Sequence, residues 1–195
     1  PPQDVVLVAA ETTSEVTSLR GTTEVDPRDG GHRSATIEVS GADSAIVTRD
    51  GDVTVTSVVV GDTFYERASD DPNPRTGKAE PAGRLAPFAS STGAVVRAAL
   101  QGAEVDDRGE EKVRGATTTH YRLTMTAAAR KALGALSPGQ TAWFELEYPD
   151  EVSTIDIWAA GDLIRRITVQ QESQRSTTEF YDFNQPITIA VPPGF

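Results

Sequence analysis

Cysteine is absent from this chain of 195 residues, which also has one methionine and two histidines. The lack of cysteine excludes a disulfide framework, a thiol nucleophile and a cysteine-ligated metal. Long hydrophobic runs are lacking too, because the apolar stretches at residues 5–10 and 58–60 are far shorter than the roughly 20 residues that a membrane-spanning helix needs. Any signal peptide or membrane anchor is therefore expected to lie before Pro1.

Basic residues are in the minority, since 18 Lys and Arg stand against 29 Asp and Glu and give a formal charge of −11. Binding to nucleic acid or to an anionic membrane surface depends on Lys and Arg, so both classes of function are disfavoured. With 37% hydrophobic and 24% charged residues, the composition is typical of a folded chain rather than a disordered one. The length predicts a single domain over residues 1–195.

Catalytic and metal-binding motifs are scarce. His32 and His120 do not form a spaced pair of metal ligands, and no G-x-S-x-G nucleophile elbow occurs. A serine–histidine arrangement through His120 remains open. The acidic turns at residues 50–52 and 70–71 lack the spacing of an EF-hand and are expected to be solvated. We therefore expect no catalytic residue, no metal and no cofactor.

Hydrophobic periodicity predicts three helices, at residues 4–19, 90–102 and 127–136. The rest of the chain favours strands, because Val, Ile and Thr are abundant and alternate with polar residues. Strands are predicted at 22–25, 33–40, 45–49, 53–60, 63–67, 118–125, 141–148, 154–159, 163–170, 177–183 and 187–191. A long polar loop is predicted at 68–87 and a short acidic loop at 104–111. Antiparallel meanders with a few amphipathic helices indicate an α+β fold, with the helices on one sheet face.

The predicted strands separate an apolar face from a polar one, as in a sheet that is wet on one side. On strand 163–170, Arg165 falls with Ile167 on the apolar face and Arg166 on the polar face. The arginine on the polar face can form a cross-strand ion pair with Asp156 or Glu147. Arg165 either lies at the rim of the sheet or stands at a pocket mouth, where it would contact an anionic head group.

Several segments, in this order, resemble the LppX/LprG group of actinobacterial envelope lipoproteins. They are GTTEV at 21–25, TTHYRLT at 118–124, IDIW at 155–158, LIRRITV at 163–169, FYDFNQPITI at 180–189 and the prolines at 192–193. The resemblance implies a LolA-like fold, in which a strongly curved, incomplete antiparallel barrel carries helices on its concave face. It also implies an apolar cavity for the acyl chains of a lipid or lipoglycan, and an extracytoplasmic chain tethered to the membrane by a lipidated cysteine. No such cysteine is present, so the anchor is expected upstream of Pro1.

The interpretation that follows is a non-catalytic, monomeric lipid carrier of the cell envelope. Strand alternation gives the candidate cavity wall, and Arg165 is the candidate for the head group. The alternative is an envelope sensor on the same fold that binds a partner protein through the outer sheet face or the segment 104–111. The candidate wall residues are Val58, Val60, Leu100, Leu123, Met125, Phe144, Leu146, Ile155, Ile157 and Ile167.

Overall fold

The computed structural model describes residues 1–79, 88–141, 144, 146, 148–191 and 193. Its first helix, α1, spans Pro2–Ser14, with a proline in the first turn, where a missing N–H costs nothing. The helix ends where the amide of Glu15 donates to the carbonyl of Thr12. The predicted helix over 4–19 is thus too long, because Ser18 and Leu19 already belong to strand β1, Ser18–Pro27.

The first half of the chain continues as an antiparallel meander. The turns between its strands contain Gly41, Gly51 and Gly61, all at positive φ, as tight hairpin turns require. The predicted loop over 68–87 is wrong at residues 75–78, which form an edge strand, and its residues 80–87 lie outside the described residues. The strands that follow β1 are β2 Arg33–Ser40, β3 Asp43–Asp50, β4 Val53–Val60, β5 Thr63–Ala68 and β6 Arg75–Lys78.

Helix α2, Phe88–Ala99, precedes the hairpin of β7, Glu104–Val113, and β8, Ala116–Thr124. The predicted acidic loop over 104–111 is therefore wrong, since the segment is a fully paired strand. The loop was predicted because the segment is rich in charged residues. These residues instead belong to an edge strand: β7 pairs with β8 alone, so almost all of its side chains lie in solvent. Charged residues on such an edge oppose pairing with other chains.

Two short helices follow, α3 at Ala127–Gly134 and α4 at Pro138–Thr141. Thr126 caps α3 by accepting a hydrogen bond from the amide of Ala129. The predicted strand over 141–148 is wrong: the described residues there form no strand, and Pro149–Glu151 is a 3₁₀ turn. Phe144 and Leu146 are nevertheless buried, so their alternate spacing reflects burial without strand pairing. Residues 142, 143, 145 and 147 of this prediction lie outside the described residues.

The last three strands are β9 Thr154–Ala160, β10 Leu163–Gln170 and β11 Gln174–Tyr181. The segment 187–191, predicted as a strand, has no regular structure. Strand β11 pairs with β1, so the ends of the chain join the two meanders in one sheet. Within the described residues this sheet has eleven strands in the order β6-β5-β4-β3-β2-β1-β11-β10-β9-β8-β7. The predicted α+β fold with an unclosed, curved antiparallel sheet is confirmed.

The pairing register defines the two faces of the sheet, because residues directly opposite each other on adjacent strands share a face. We call the face that bears Ile157 and Ile167 the inner face, and the opposite one the outer face. Helix α1 packs on the inner face at β7, β9 and β10, and α2 packs against α1, α3 and α4. The inner face and the helices enclose one apolar core, which includes Val6, Ala10, Leu19, Val95 and Ile164.

Candidate functional site

Most of the candidate wall residues meet in one place. They come from β8 and β9, from β10, from the end of α2 and from the non-strand segment before the 3₁₀ turn, and all are buried in the apolar core beneath the helices. They are Leu100, Leu123, Met125, Phe144, Leu146, Ile155, Ile157 and Ile167.

Val58 and Val60 are the exception and need correction. The pairs Thr23–Ala35, Ala35–Thr48 and Thr48–Val55 carry the inner face from β1 across to β4. Since alternate residues of a strand share a face, Val55 and Val59 lie on the inner face, and Val58 and Val60 lie on the outer one. The sequence run Val58-Val59-Val60 has no polar residue to fix this parity, and only the cross-strand register reveals it.

Strands β3 to β5, which we call the arm, have an inner face that is only partly covered and that carries both apolar side chains and the hydrogen-bonded pair Ser57–Glu66. Its inner-face side chains Ile46, Val55, Val59 and Phe64 are only half-buried, whereas Ile155, Ile157 and Ile167 beneath the helices are buried. Ile46 borders the core, so the arm surface continues the apolar interior. Val59 lies directly opposite Phe64 across the β4–β5 pair. An acyl chain on this surface would contact these apolar side chains, with the Ser57–Glu66 pair lying among them.

Arg165 is an extra residue in the ladder between β9 and β10. Ile164 pairs with Ala159 and Arg166 pairs with Trp158, so Arg165 forms a β-bulge. The bulge shifts the alternation and turns Ile164 into the core, although simple alternation predicts the polar face for it. Arg166 forms a cross-strand ion pair, but with Glu179 of β11, to which its Nε donates at 2.9 Å, and not with the predicted Asp156, which is paired with Arg122. The guanidinium of Arg165 instead lies 4.7 Å from the centre of the Phe183 ring.

The outer face carries a polar network centred on His120. Its ring nitrogens lie 3.0 Å from Glu111 Oε1 and 2.7 Å from Asp156 Oδ1, and the ring stacks on Trp158 at 4.3 Å. Carboxylates only accept, so both bonds form when the ring carries both protons. Arg122 holds Asp156 from the other side, and Asp156 raises the pKa of Arg122 above its ordinary value.

Glu111 links edge strand β7 to this network. The indole Nε1 of Trp158 donates to Glu111 Oε2 at 2.9 Å, and this bond, with a smaller contribution from His120, lowers the pKa of the Glu111 carboxyl. No serine hydroxyl accompanies His120 among these contacts, which are all made to carboxylates. Across the described ranges, no group of three or more His, Asp or Glu side chains could hold a metal ion.

Two clefts open elsewhere on the described part of the surface. One, of about 580 Å³, lies at the sheet end near Asp26, Arg28, Arg130 and Glu151, and its charged lining does not suit an acyl chain. The other, of about 300 Å³, lies between α2, α3 and α4 and is lined by alanines together with Arg97, Leu136 and two glutamines. In the described residues, no helix has both the length and the apolar character to cross a membrane.

The fold can now be compared with known proteins. No family model matches the sequence, and no curated protein matches it. Among solved structures, the chain is similar to the lipoprotein LppX of Mycobacterium tuberculosis, with a TM-score of 0.59 and 18% identity over 96% of this chain and 97% of LppX. It is also similar to LprF of Mycobacterium bovis, with a TM-score of 0.61 and 13% identity over 99% of this chain and 97% of LprF. The resemblance to the LppX/LprG group is thereby confirmed at the level of the fold.

Proposed function

We propose that this chain is a non-catalytic lipoprotein of the cell envelope that holds the acyl chains of a lipid or lipoglycan on the inner face of its curved sheet, beside the helices, for carriage. One observation carries the proposal. The helices pack on the β7–β10 half of the inner face, while the arm leaves Ile46, Val55, Val59 and Phe64 only half-buried, with Ile46 packed against the core.

The energetics favour this use of the arm. Each methylene group moved from water onto an apolar surface contributes about 0.8 kcal/mol, so a single acyl chain can be held without any polar contact. Leu123, Ile155 and Ile157 beneath the helices are fully buried, so we place the chain along the arm and against the edge of the core. Leu123, Ile155 and Ile157 then form the floor that the arm extends.

The similarity to the lipoprotein LppX supports placement outside the cytoplasmic membrane with a lipid anchor. The net charge of −11 supports the same picture, because an acidic domain gains little from surface contact with anionic lipids. A monomer with a lipid ligand is the simplest state that fits this proposal. The alternative, an envelope sensor that binds a partner protein, would use the outer face or edge strand β7.

Neighbouring valines of β4 provide the test. Val59 points to the inner face and Val60 to the outer face, and both are half-buried. We expect Val59→Trp to displace two to three methylene groups of a bound chain and to weaken lipid uptake by roughly 30-fold, while the matched Val60→Trp leaves uptake unchanged. Lipid bound after incubation with vesicles is quantified by mass spectrometry of organic extracts.

Two results would count against the proposal. Equal lipid uptake by both variants would show that the arm is not the binding surface. A wild-type protein that carries no lipid from its host and takes none from vesicles would favour the partner-binding alternative.

A further inference from the structure

Arg165 lacks the acidic partner that several other partly buried arginines of the described chain have. Arg20, Arg122 and Arg166 each form an ion pair with a carboxylate, at N–O distances of 2.7 Å, 2.8 Å and 2.5 Å. Across the described residues no carboxylate lies within ion-pair distance of Arg165, and its Nε is buried without a hydrogen-bond partner. This contrast is unexpected in a chain whose acidic residues outnumber its basic ones.

Position in the fold explains why Arg165 stands apart. As the bulge residue, it has no register partner on β9 or on β11, so its side chain is not committed to a cross-strand pair. The amide of its neighbour Ile164 donates to Thr13 Oγ1 of α1, which brings the helix end against the bulge. Phe183, on which the guanidinium lies, packs against the apolar core. Arg165 therefore stands where the apolar interior meets the rim of the sheet.

We propose that Arg165 binds the anionic head group, a phosphate or carboxylate, of an amphiphile whose acyl chains lie along the arm and against the edge of the apolar core. This inference rests on the proposed lipid-binding function and adds the class of ligand to it. A buried guanidinium N–H needs an acceptor, and a charged acceptor gives the stronger bond. The guanidinium lies over the Phe183 ring, and this cation–π contact restricts the orientations that the planar group can take. The head group of such a molecule would then lie at the rim beside Arg165, and its acyl chains would lie on the adjoining apolar surface.

The experiment compares two lipids with identical chains, dioleoyl phosphatidic acid and dioleoylglycerol, at equal content in phosphatidylcholine vesicles. Bound lipid is quantified by mass spectrometry after the vesicles are removed by flotation. Wild type is expected to take up phosphatidic acid in preference to dioleoylglycerol by about tenfold or more. Arg165→Gln is expected to abolish the preference without reducing the uptake of dioleoylglycerol, and Arg165→Lys to restore part of it.

Arg166→Gln is the matched control, since it removes a neighbouring arginine that is already paired with Glu179 on the outer face. It should leave the preference unchanged. An equal preference in wild type and Arg165→Gln, or the same loss in both glutamine variants, overturns the role of Arg165. If wild type takes up neither lipid, the proposed function fails and the inference fails with it.

A further experiment distinguishes a lipid head group from a free anion as the ligand of Arg165. Inorganic phosphate alone, at millimolar concentration, is added to protein labelled for NMR, and the Nε–H signal of Arg165 is followed. No shift is expected, because the acyl chains supply most of the affinity. A saturating shift with phosphate alone would show that Arg165 binds free anions. It would overturn the proposal that the ligand is an amphiphile.

Discussion

Thr13 joins helix α1 to the sheet through one buried hydrogen bond, which is a single-residue determinant of how the helix lies on the bulge. The amide of Ile164 donates to its hydroxyl at 2.9 Å, and both residues are fully buried. We expect Thr13→Val to lower the free energy of unfolding by about 1–3 kcal/mol, because a nearly isosteric side chain leaves a buried N–H without this acceptor. Urea denaturation measures the change. Thr13→Ser should recover most of it, and a Thr13→Val variant as stable as wild type would show that the bond contributes nothing.

Glu111 makes stability depend on pH at the residue scale. Its pKa is lowered in the folded state, mainly by the Trp158 indole, so its contribution is present above the pKa of the unfolded chain and is lost as pH falls through the lower folded value. The side chain is 47% exposed, so solvent screening keeps the effect within about 1 kcal/mol. We expect wild type to exceed Glu111→Gln in stability near neutral pH and the gap to close as the pH falls below the ordinary pKa of a glutamate and through the lower folded value.

Unfolding free energies measured at several pH values test this expectation, with Glu104→Gln on the same strand as the control. Glu104 makes no ion pair among the described residues, so its variant should follow wild type throughout. A gap between wild type and Glu111→Gln that stays constant with pH would assign the effect to packing rather than to the carboxylate.

At the scale of elements, a close approach of two helices sets the geometry of the layer above the sheet. Gly93 of α2 faces α1, where an added Cβ would overlap Ser14 Oγ and stand 2.9 Å from the carbonyl oxygen of Ala10. Because that oxygen is backbone and also accepts from Ser14, neither group can give way freely. We expect Gly93→Ala to destabilise the fold by about 1–3 kcal/mol through overpacking.

The control for this prediction is Gly134→Ala in α3, where the nearest atom to an added Cβ is 4.0 Å away and alanine favours the helix by up to about 1 kcal/mol. Thermal unfolding of the two variants should therefore shift in opposite directions. A Gly93→Ala variant that is as stable as Gly134→Ala would show that the helices separate at no cost.

Strands could be predicted from the sequence where apolar and polar residues alternate between clear turn residues. They could not be predicted where a charged or polar segment is a strand because it pairs with a neighbour. Residues 163–170 and 53–60 were predicted with the bounds that the structure has, because alternation and turn residues agree there. Strand β7 was missed because its charges belong to an edge, and β6 because it pairs with β5 alone. The bulge at Arg165 left no signal in the alternation, so the side of Ile164 was assigned wrongly.

The candidate site shows the same division. The wall residues beneath the helices could be chosen from apolar alternation, since burial alone brings them together. Val58 and Val60 could not be placed, because face parity in an all-valine run depends on the register with β3 and β5. The half-exposed inner face of the arm depends on where the helices pack, which is a property of the tertiary structure.

At the scale of the whole molecule, the sheet has two unequal halves joined by the pairing of β1 with β11. The half from β7 to β10 carries the helices and most of the buried core, while β3 to β5 are half-buried along nearly their whole length. Under the proposed function, the first half would maintain the fold and the arm would exchange the bound lipid. The acidic edge strand β7 keeps the stable half from pairing with other chains.

Hydrogen exchange of the full chain can test this difference between the two halves of the sheet. Strands with few buried contacts open at lower free energy, so amides of β3 to β5 should exchange faster than those of β9 to β11 in the lipid-free protein. Bound lipid should slow exchange selectively in the arm, because the ligand would cover the arm as the helices cover the other half. Binding stabilises only the folded conformations that bind the lipid, so the amides of the binding surface gain most protection. Mass spectrometry of peptides from protein with and without dioleoyl phosphatidic acid measures both effects. Uniform protection across the sheet, or slowing confined to β9 to β11, would place the ligand under the helices and leave the arm as a purely structural extension.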